Sequence, residues 1–322
     1  MSINPEYGIE TQNLRKRYDN FTAVDGINLK IRKGHLFGFL GPNGAGKSTT
    51  ISMLSTILLP TEGTAKIMGF DLVKDRAKIR EIIGVCPQEL VFYERLSARE
   101  NIHLIAQMHN IAPRDYKDRT DDLLGQMQLL DRADGQARTF SGGMKRRLNV
   151  LMAVIHDPEV IFFDEPSAGL DPQSKRVVWN FIKDFEKQHK TVVLTTHNME
   201  EADDLSQELA IINHGKIIAE DTPQALKAKI GQGDVVEFRV DDEKLNQRDI
   251  YIKSIQQIEG IQWVKPLGKQ IISFSAYDGL RKISHYYEQF ESDFGLKMHD
   301  VVIRQNTLED VFLNLTGKEL RD

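Results

Sequence analysis

Gly41-Pro42-Asn43-Gly44-Ala45-Gly46-Lys47-Ser48 sets glycine, lysine and serine at the spacing G-x-x-x-x-G-K-[ST], directly after the apolar run Leu36 to Leu40 and ahead of a helical stretch. Gly41, Gly44 and Gly46 let the backbone around Asn43 curl so that successive N–H groups face a phosphate, at the positive end of the helix that follows. Lys47 then bridges β- and γ-phosphate oxygens, Ser48 ligates Mg²⁺ and Thr49 contacts the α-phosphate. A second apolar run, Val160 to Phe163, leads straight into Asp164 and Glu165. Charge at a buried strand end is costly unless it meets a cation, so Asp164 is expected to orient the Mg²⁺ shell and Glu165 to take a proton from the attacking water. The competing reading is an exposed acidic pair that opens a loop.

Phe140-Ser141-Gly142-Gly143-Met144-Lys145-Arg146-Arg147-Leu148 adds a third feature. Ser141 caps a helix whose apolar face runs Leu148, Leu151, Met152 and Ile155, and Gly142 and Gly143 leave its N-terminus bare for a phosphate. Taken alone this is an ordinary capped helix. Because residues 41 to 48 already form a full cradle, a second anion site makes sense if it serves a neighbouring subunit's nucleotide.

The elements that must position these residues have two patterns. Up to about Glu220, apolar runs (Leu36 to Leu40, Val160 to Phe163, Val192 to Thr195) alternate with amphipathic helical stretches, as in an α/β domain with a sheet covered on both faces. A helical insert, about residues 97 to 156 as a subdomain, opens with the capping box Ser97 to Glu100. Leu209 to Ile212 and Lys216 to Ala219 read as a hairpin about His214-Gly215. Residues 221 to 233 form a linker helix with Pro223 at its first position and Gly231-Gln232-Gly233 behind Ile230. From residue 234 to 322, period-two alternation (Val236, Phe238, Val240) begins a strand, helix (Leu245 to Ile258), strand, strand, helix (Gly279 to Phe290), strand order with a closing helix from Thr307, a small α+β, ferredoxin-like domain.

Composition narrows the class. With 322 residues, 42 Lys+Arg against 47 Asp+Glu and a net charge of −5, the chain has about two domains and no basic excess for a nucleic-acid partner. One cysteine, Cys86, excludes an intramolecular disulfide. The opening residues are polar without a leader pattern, and no run approaches the roughly 18 apolar residues that span a bilayer, so a membrane role must come through a partner.

Together the motifs resemble the ATP-binding cassette (ABC) ATPase family from about Ile9 to Glu220. The resemblance implies a P-loop NTPase core sheet with a helical subdomain, ATP and Mg²⁺ as cofactors, and a head-to-tail dimer, homo- or heteromeric. It implies that Tyr18 stacks on adenine and that Gln88, in Val85-Cys86-Pro87-Gln88, touches Mg²⁺ and the attacking water. It also implies that Ser141, Gly142 and Gly143 form the signature motif, that Ser167 to Asp171 cross the dimer interface, and that His197 contacts the γ-phosphate.

Phe140, Met144 and the extra Gly169 depart from the commonest family pattern and are similar to the ATPases of ABC-2 type exporters. Thr307-Leu308-Glu309-Asp310-Val311-Phe312-Leu313, followed by Leu315-Thr316-Gly317, is similar to that branch's closing helix. This implies a peripheral subunit on the inner face of the cell membrane, held by a separate permease. The alternative is a soluble ABC ATPase acting on ribosomes or DNA, but such relatives carry two cassettes or a long coiled coil, whereas here each motif occurs once. A GTP-binding switch lacks its guanine-reading N-K-x-D segment. Glu89 to Leu96, behind Gln88, either packs the insert onto the sheet or lines a groove for a permease helix, with Tyr93 and Arg95 as the exposed anchors.

Overall fold

The computed structural model describes residues 6–229, 233–241, 246–277 and 279–316. Residues Met1 to Pro5, Ile230 to Gln232 of the expected linker, the expected helix start at Leu245, and Gly317 of the closing motif lie outside the described residues. The chain divides into two compact units, one ending at Pro223 and one beginning at Gln224.

The first unit opens with Tyr7–Tyr18 (β1) and Phe21–Arg32 (β2), an antiparallel pair. Leu36–Leu40 (β3), Lys47–Leu54 (α1), Glu62–Ile67 (β4), Phe70–Asp71 (β5), Arg76–Ile82 (α2) and Ile83–Cys86 (β6) follow. The helical insert contains Ala98–Met108 (α3), Pro113–Gln126 (α4) and Gly142–Met152 (α5). The chain returns through Val160–Asp164 (β7), Pro172–Lys187 (α6), Thr191–Thr196 (β8), Met199–Leu205 (α7), Glu208–Asn213 (β9) and Lys216–Asp221 (β10); Pro223–Lys229 (α8) follows, and all of it but Pro223 belongs to the second unit.

The central sheet has the order β10-β9-β3-β8-β7-β6. It is parallel from β9 to β6, and β10 closes it as an antiparallel edge. Alternate residues of its strands serve two cores. Phe37, Phe39, Phe162 and Val193 face the sheet β2-β1-β4-β5, packed with Ile9, Leu14, Ile27 and Ile31, while Leu36, Ile161, Phe163 and Leu194 pack with the helices on the other side. Both faces are dry, which is why these strands read as continuous apolar runs.

The antiparallel sheet around β1 gave almost no sequence signal. Its pairing slips register at several points, and Asn13 and Gly26 take positive φ values of 48° and 75°, so no clean period of two survives. The insert, by contrast, starts as its pattern requires. Ser97 Oγ accepts from Glu100 N at 3.1 Å, and Glu100 Oε2 accepts from Ser97 N at 2.7 Å.

The second unit contains Asp234–Arg239 (β11), Arg248–Ile255 (α9), Ile261–Leu267 (β12), Ile271–Ala276 (β13), Gly279–Phe294 (α10), His299–Gln305 (β14) and Leu308–Thr316 (α11). Its sheet is antiparallel in the order β12-β13-β11-β14, and Phe238, Phe274, Tyr286 and Phe290 fill its core. Helix α10 runs one turn past Phe290 because Phe294 still packs on that core.

Candidate active site

Three adjacent parallel strands deliver the chemistry to one edge of the central sheet. Leu40 of β3 pairs with Thr196 of β8, and Asp164 of β7 pairs with Thr195, so Gly41, Glu165 and His197 all follow at the carboxyl ends of neighbouring strands. That edge is where open α/β sheets receive ligands.

The loop after β3 has no room for other residues at two of its glycines. Gly46, at the N-terminus of α1, has φ 106°, and a Cβ there would sit 2.4 Å from the Ala23 carbonyl. A Cβ on Gly41 would lie 2.2 Å from the Ile212 carbonyl. Asn43 and Gly44 are exposed at the tip, and Thr49 is half-buried on α1. Lys47 folds back beneath the loop, donating to Gly41 O at 2.7 Å and to Pro42 O at 3.1 Å. Burial lowers the Lys47 pKa, opposed by the charges of Glu165 and Asp164.

Glu165 is the centre of the cluster. Its carboxylate is 5% exposed, with Oε1 3.4 Å from Lys47 Nζ and Oε2 2.8 Å from His197 Nδ1. Its backbone has φ 50°, a strained value for a non-glycine residue, and is held there by Glu165 N donating to Thr195 O and Thr195 Oγ1, each at 3.1 Å. Asp164 and Glu165 are both buried, which excludes the exposed acidic pair. Asp164 Oδ1 accepts from Ser48 Oγ at 3.0 Å and from Thr195 Oγ1. Hydroxyl and carboxylate oxygens therefore meet beside the phosphate loop, a hard donor set of the kind Mg²⁺ takes.

The other expected site residues stand apart from this cluster. Gln88 is exposed, and its carbonyl accepts from Arg146 Nη1 at 2.8 Å. Tyr18 is an exposed ring at the end of β1, with Lys16 Nζ 5.1 Å from its centroid. Ser141 Oγ accepts from Met144 N at 3.2 Å and so caps α5; Gly142 beside it borders open space. Asp171 is the N-cap of α6, accepting from Ser174 N at 2.9 Å with Pro172 following, so its carboxylate has a local structural task.

Two buried charged residues escaped the sequence reading. Arg146, 5% exposed, sits on α5 and reaches the main chain of Glu165. Glu201, 1% exposed, accepts from Ser167 Oγ at 2.6 Å and Trp179 Nε1 at 2.9 Å, and burial raises its pKa against these hydrogen bonds. Both lie in charged runs that read as solvated helix faces; only the Asn198 cap, accepting from Glu201 N at 3.1 Å, leaves a local trace.

The ABC transporter family model matches residues 24–168. The chain is 34% identical over 320 residues to a daunorubicin resistance ATP-binding protein of Streptomyces coeruleorubidus, covering 97% of each. It is 33% identical to the linearmycin resistance ATP-binding protein of Bacillus subtilis, covering 98% of this chain and 100% of that one. Among solved structures, a dimeric ATP-binding cassette in a post-hydrolysis state with ADP and Pi matches with a TM-score of 0.62 and 25% identity, over 66% of this chain and 98% of that one. With similarity over nearly its whole length and the phosphate loop, carboxylate pair and histidine gathered on one sheet edge, the chain belongs to the family of ABC transporter ATP-binding proteins and is an ATPase.

Proposed function

We propose that this chain is the ATP-hydrolysing subunit of an exporter of the ABC-2 type, working as a dimer on a separate permease at the inner face of the cell membrane. The observation that carries the chemistry is the Glu165 carboxylate held between Lys47 and His197. The N–H groups of the phosphate loop and Lys47 bind the β- and γ-phosphates, Ser48 and Asp164 hold Mg²⁺, and Tyr18 stacks on adenine. Bound Mg²⁺ supplies neutralisation of the charge on the transferred phosphate oxygens. Glu165 accepts a proton from the attacking water, and His197, aligned through its Nδ1, contacts the γ-phosphate. Gln88, on the exposed segment that follows β6, would contribute its side chain to the metal and the attacking water.

The second half of each site is read as coming from a partner. Ser141, Gly142 and Gly143 head an exposed helix N-terminus with open space at Gly142, and Asp171 opens the next helix of the same domain. The dimeric state named for the matched cassette supports this arrangement.

The permease reading rests on a groove of about 460 Å³ lined by Val85, Pro87, Val91, Ile105, Met152 and His156, beside Gln88. Leu90 and Val91 are 44% and 59% exposed, so this run is not simply core, and Tyr93 and Arg95 are exposed as well. Among the described residues no helix is long and apolar enough to cross a membrane. Drug-resistance and export functions named for the relatives favour an outward cargo, whose path lies in the permease. The reading is tested by coexpressing the chain with and without a multispanning permease and measuring sedimentation with membranes and Mg²⁺-dependent ATP turnover. Turnover without any permease-dependent membrane association would favour the soluble alternative.

A further inference from the structure

Arg146 is a buried cation whose partners are three backbone carbonyls in two different loops. Its Nη1 donates to Pro87 O at 3.2 Å and to Gln88 O at 2.8 Å, and its Nη2 donates to Glu165 O at 2.8 Å. Among the described residues its guanidinium, 5% exposed, enters no ion pair. A buried charge compensated only by carbonyl dipoles is expensive to keep for stability alone.

The peptide it holds is the strained one. Glu165 is pinned on its N–H side by Thr195 and on its carbonyl side by Arg146 Nη2 and Ala168 N, the latter at 3.2 Å. Removing the guanidinium leaves Ala168 N as that carbonyl's remaining partner, and the positive φ at Glu165 then favours relaxation toward an ordinary value. The carboxylate would then swing away from Lys47 and His197. The same side chain fixes Gln88, so one planar group sets the spacing between the glutamine segment and the catalytic carboxylate. Arg146 also lies one turn into the helix that Ser141 caps, which ties that spacing to the position of α5.

We infer that Arg146 is a positioning residue for hydrolysis, registering Gln88 and Glu165 to each other and to helix α5. This rests on the role of Glu165 proposed above. A lysine cannot replace it, because an ammonium on a flexible stem lacks the rigid fork that reaches both loops at once.

The test uses the purified full-length chain carrying Arg146→Lys or Arg146→Met, with Glu165→Gln as a parallel control. Fluorescent ATP-analogue affinity and maximal turnover are measured separately. Turnover should fall roughly thirtyfold in Arg146→Met and about tenfold in Arg146→Lys, with affinity within about twofold of the parent. A folded variant with turnover within about twofold of the parent overturns the inference, as does a loss of affinity that parallels the loss of turnover. If Arg146→Met does not fold, Arg146→Lys, which keeps the charge, decides alone. Normal turnover in Glu165→Gln would instead remove Glu165 from its role, a failure separate from that of Arg146.

Discussion

His197 Nδ1 lies 2.8 Å from Glu165 Oε2, joining the end of β8 to the end of β7 through side chains that the sequence separates by 32 positions. His197 is the residue proposed above to contact the γ-phosphate. His197→Ala should lower maximal ATP turnover by roughly a hundredfold, while binding of an ATP analogue changes little because the phosphate loop is intact. Steady-state kinetics beside equilibrium binding check this split.

The proposed composite sites make a distinct prediction. Ser141→Arg fills the open space at the head of α5, so it should leave nucleotide binding to a monomer intact and abolish hydrolysis in the dimer. Lys47→Ala should weaken binding itself, since γ-phosphate charge loses its cation. Mixed together, the two variants should recover activity in heterodimers with one competent site, as measured by turnover against mixing ratio.

The gathering of the candidate residues at one sheet edge was legible because each follows a buried strand run immediately: Leu40 then Gly41, Phe163 then Asp164-Glu165, Thr196 then His197. The antiparallel sheet was not, since bulges scramble the alternation of β1 and β2. Arg146 sits in Lys145-Arg146-Arg147, and nothing local separates the buried guanidinium from its half-buried neighbours. Its role depends on Pro87, Gln88 and Glu165, a contact set only the tertiary fold creates. The closing helix from Thr307 was legible in the element order, and its Thr307 to Leu313 string by resemblance. The fold gives it a physical basis: in the first turn of α11 the Asp310 carboxylate accepts from Thr307 N and Thr307 Oγ1, each at 2.9 Å, and takes a bidentate pair from Arg304 at 2.6 and 3.0 Å.

Tyr93 and Arg95 are exposed on the segment that follows Gln88, and Val91 of the same segment lines the groove. Tyr93→Ala with Arg95→Ala should reduce copurification of the permease and transport by about tenfold or more, because exposed aromatic and arginine side chains dominate interfaces. ATP binding by the subunit should be unchanged. A double variant that still copurifies and transports normally would move the docking surface elsewhere.

His156 and His109 stack at 3.7 Å between ring centroids at the wall of that groove, with His156 Nε2 2.9 Å from the Ile83 carbonyl. Burial pushes the His156 pKa down to about 4, with the Ile83 hydrogen bond opposing and the His109 and Arg119 charges adding to the effect. Burial lowers His109 as well. The unfolded chain therefore binds more protons below pH 6.5, so stability should fall as pH drops from about 6.5 toward 4, by on the order of 2 kcal/mol from His156. Urea unfolding at pH 7 and pH 5 should show a smaller pH effect in His156→Gln than in the parent.

Glu165→Gln tests the account most directly, because it replaces one carboxylate oxygen with an NH2 group and removes the charge from the side chain held between Lys47 and His197. ATP hydrolysis followed as phosphate release, with analogue binding measured on the same preparation, should show turnover reduced by roughly a hundredfold or more, affinity retained and dimers accumulating with ATP bound. Near-normal phosphate release from a folded Glu165→Gln protein would contradict the account and place the proton acceptor in another residue.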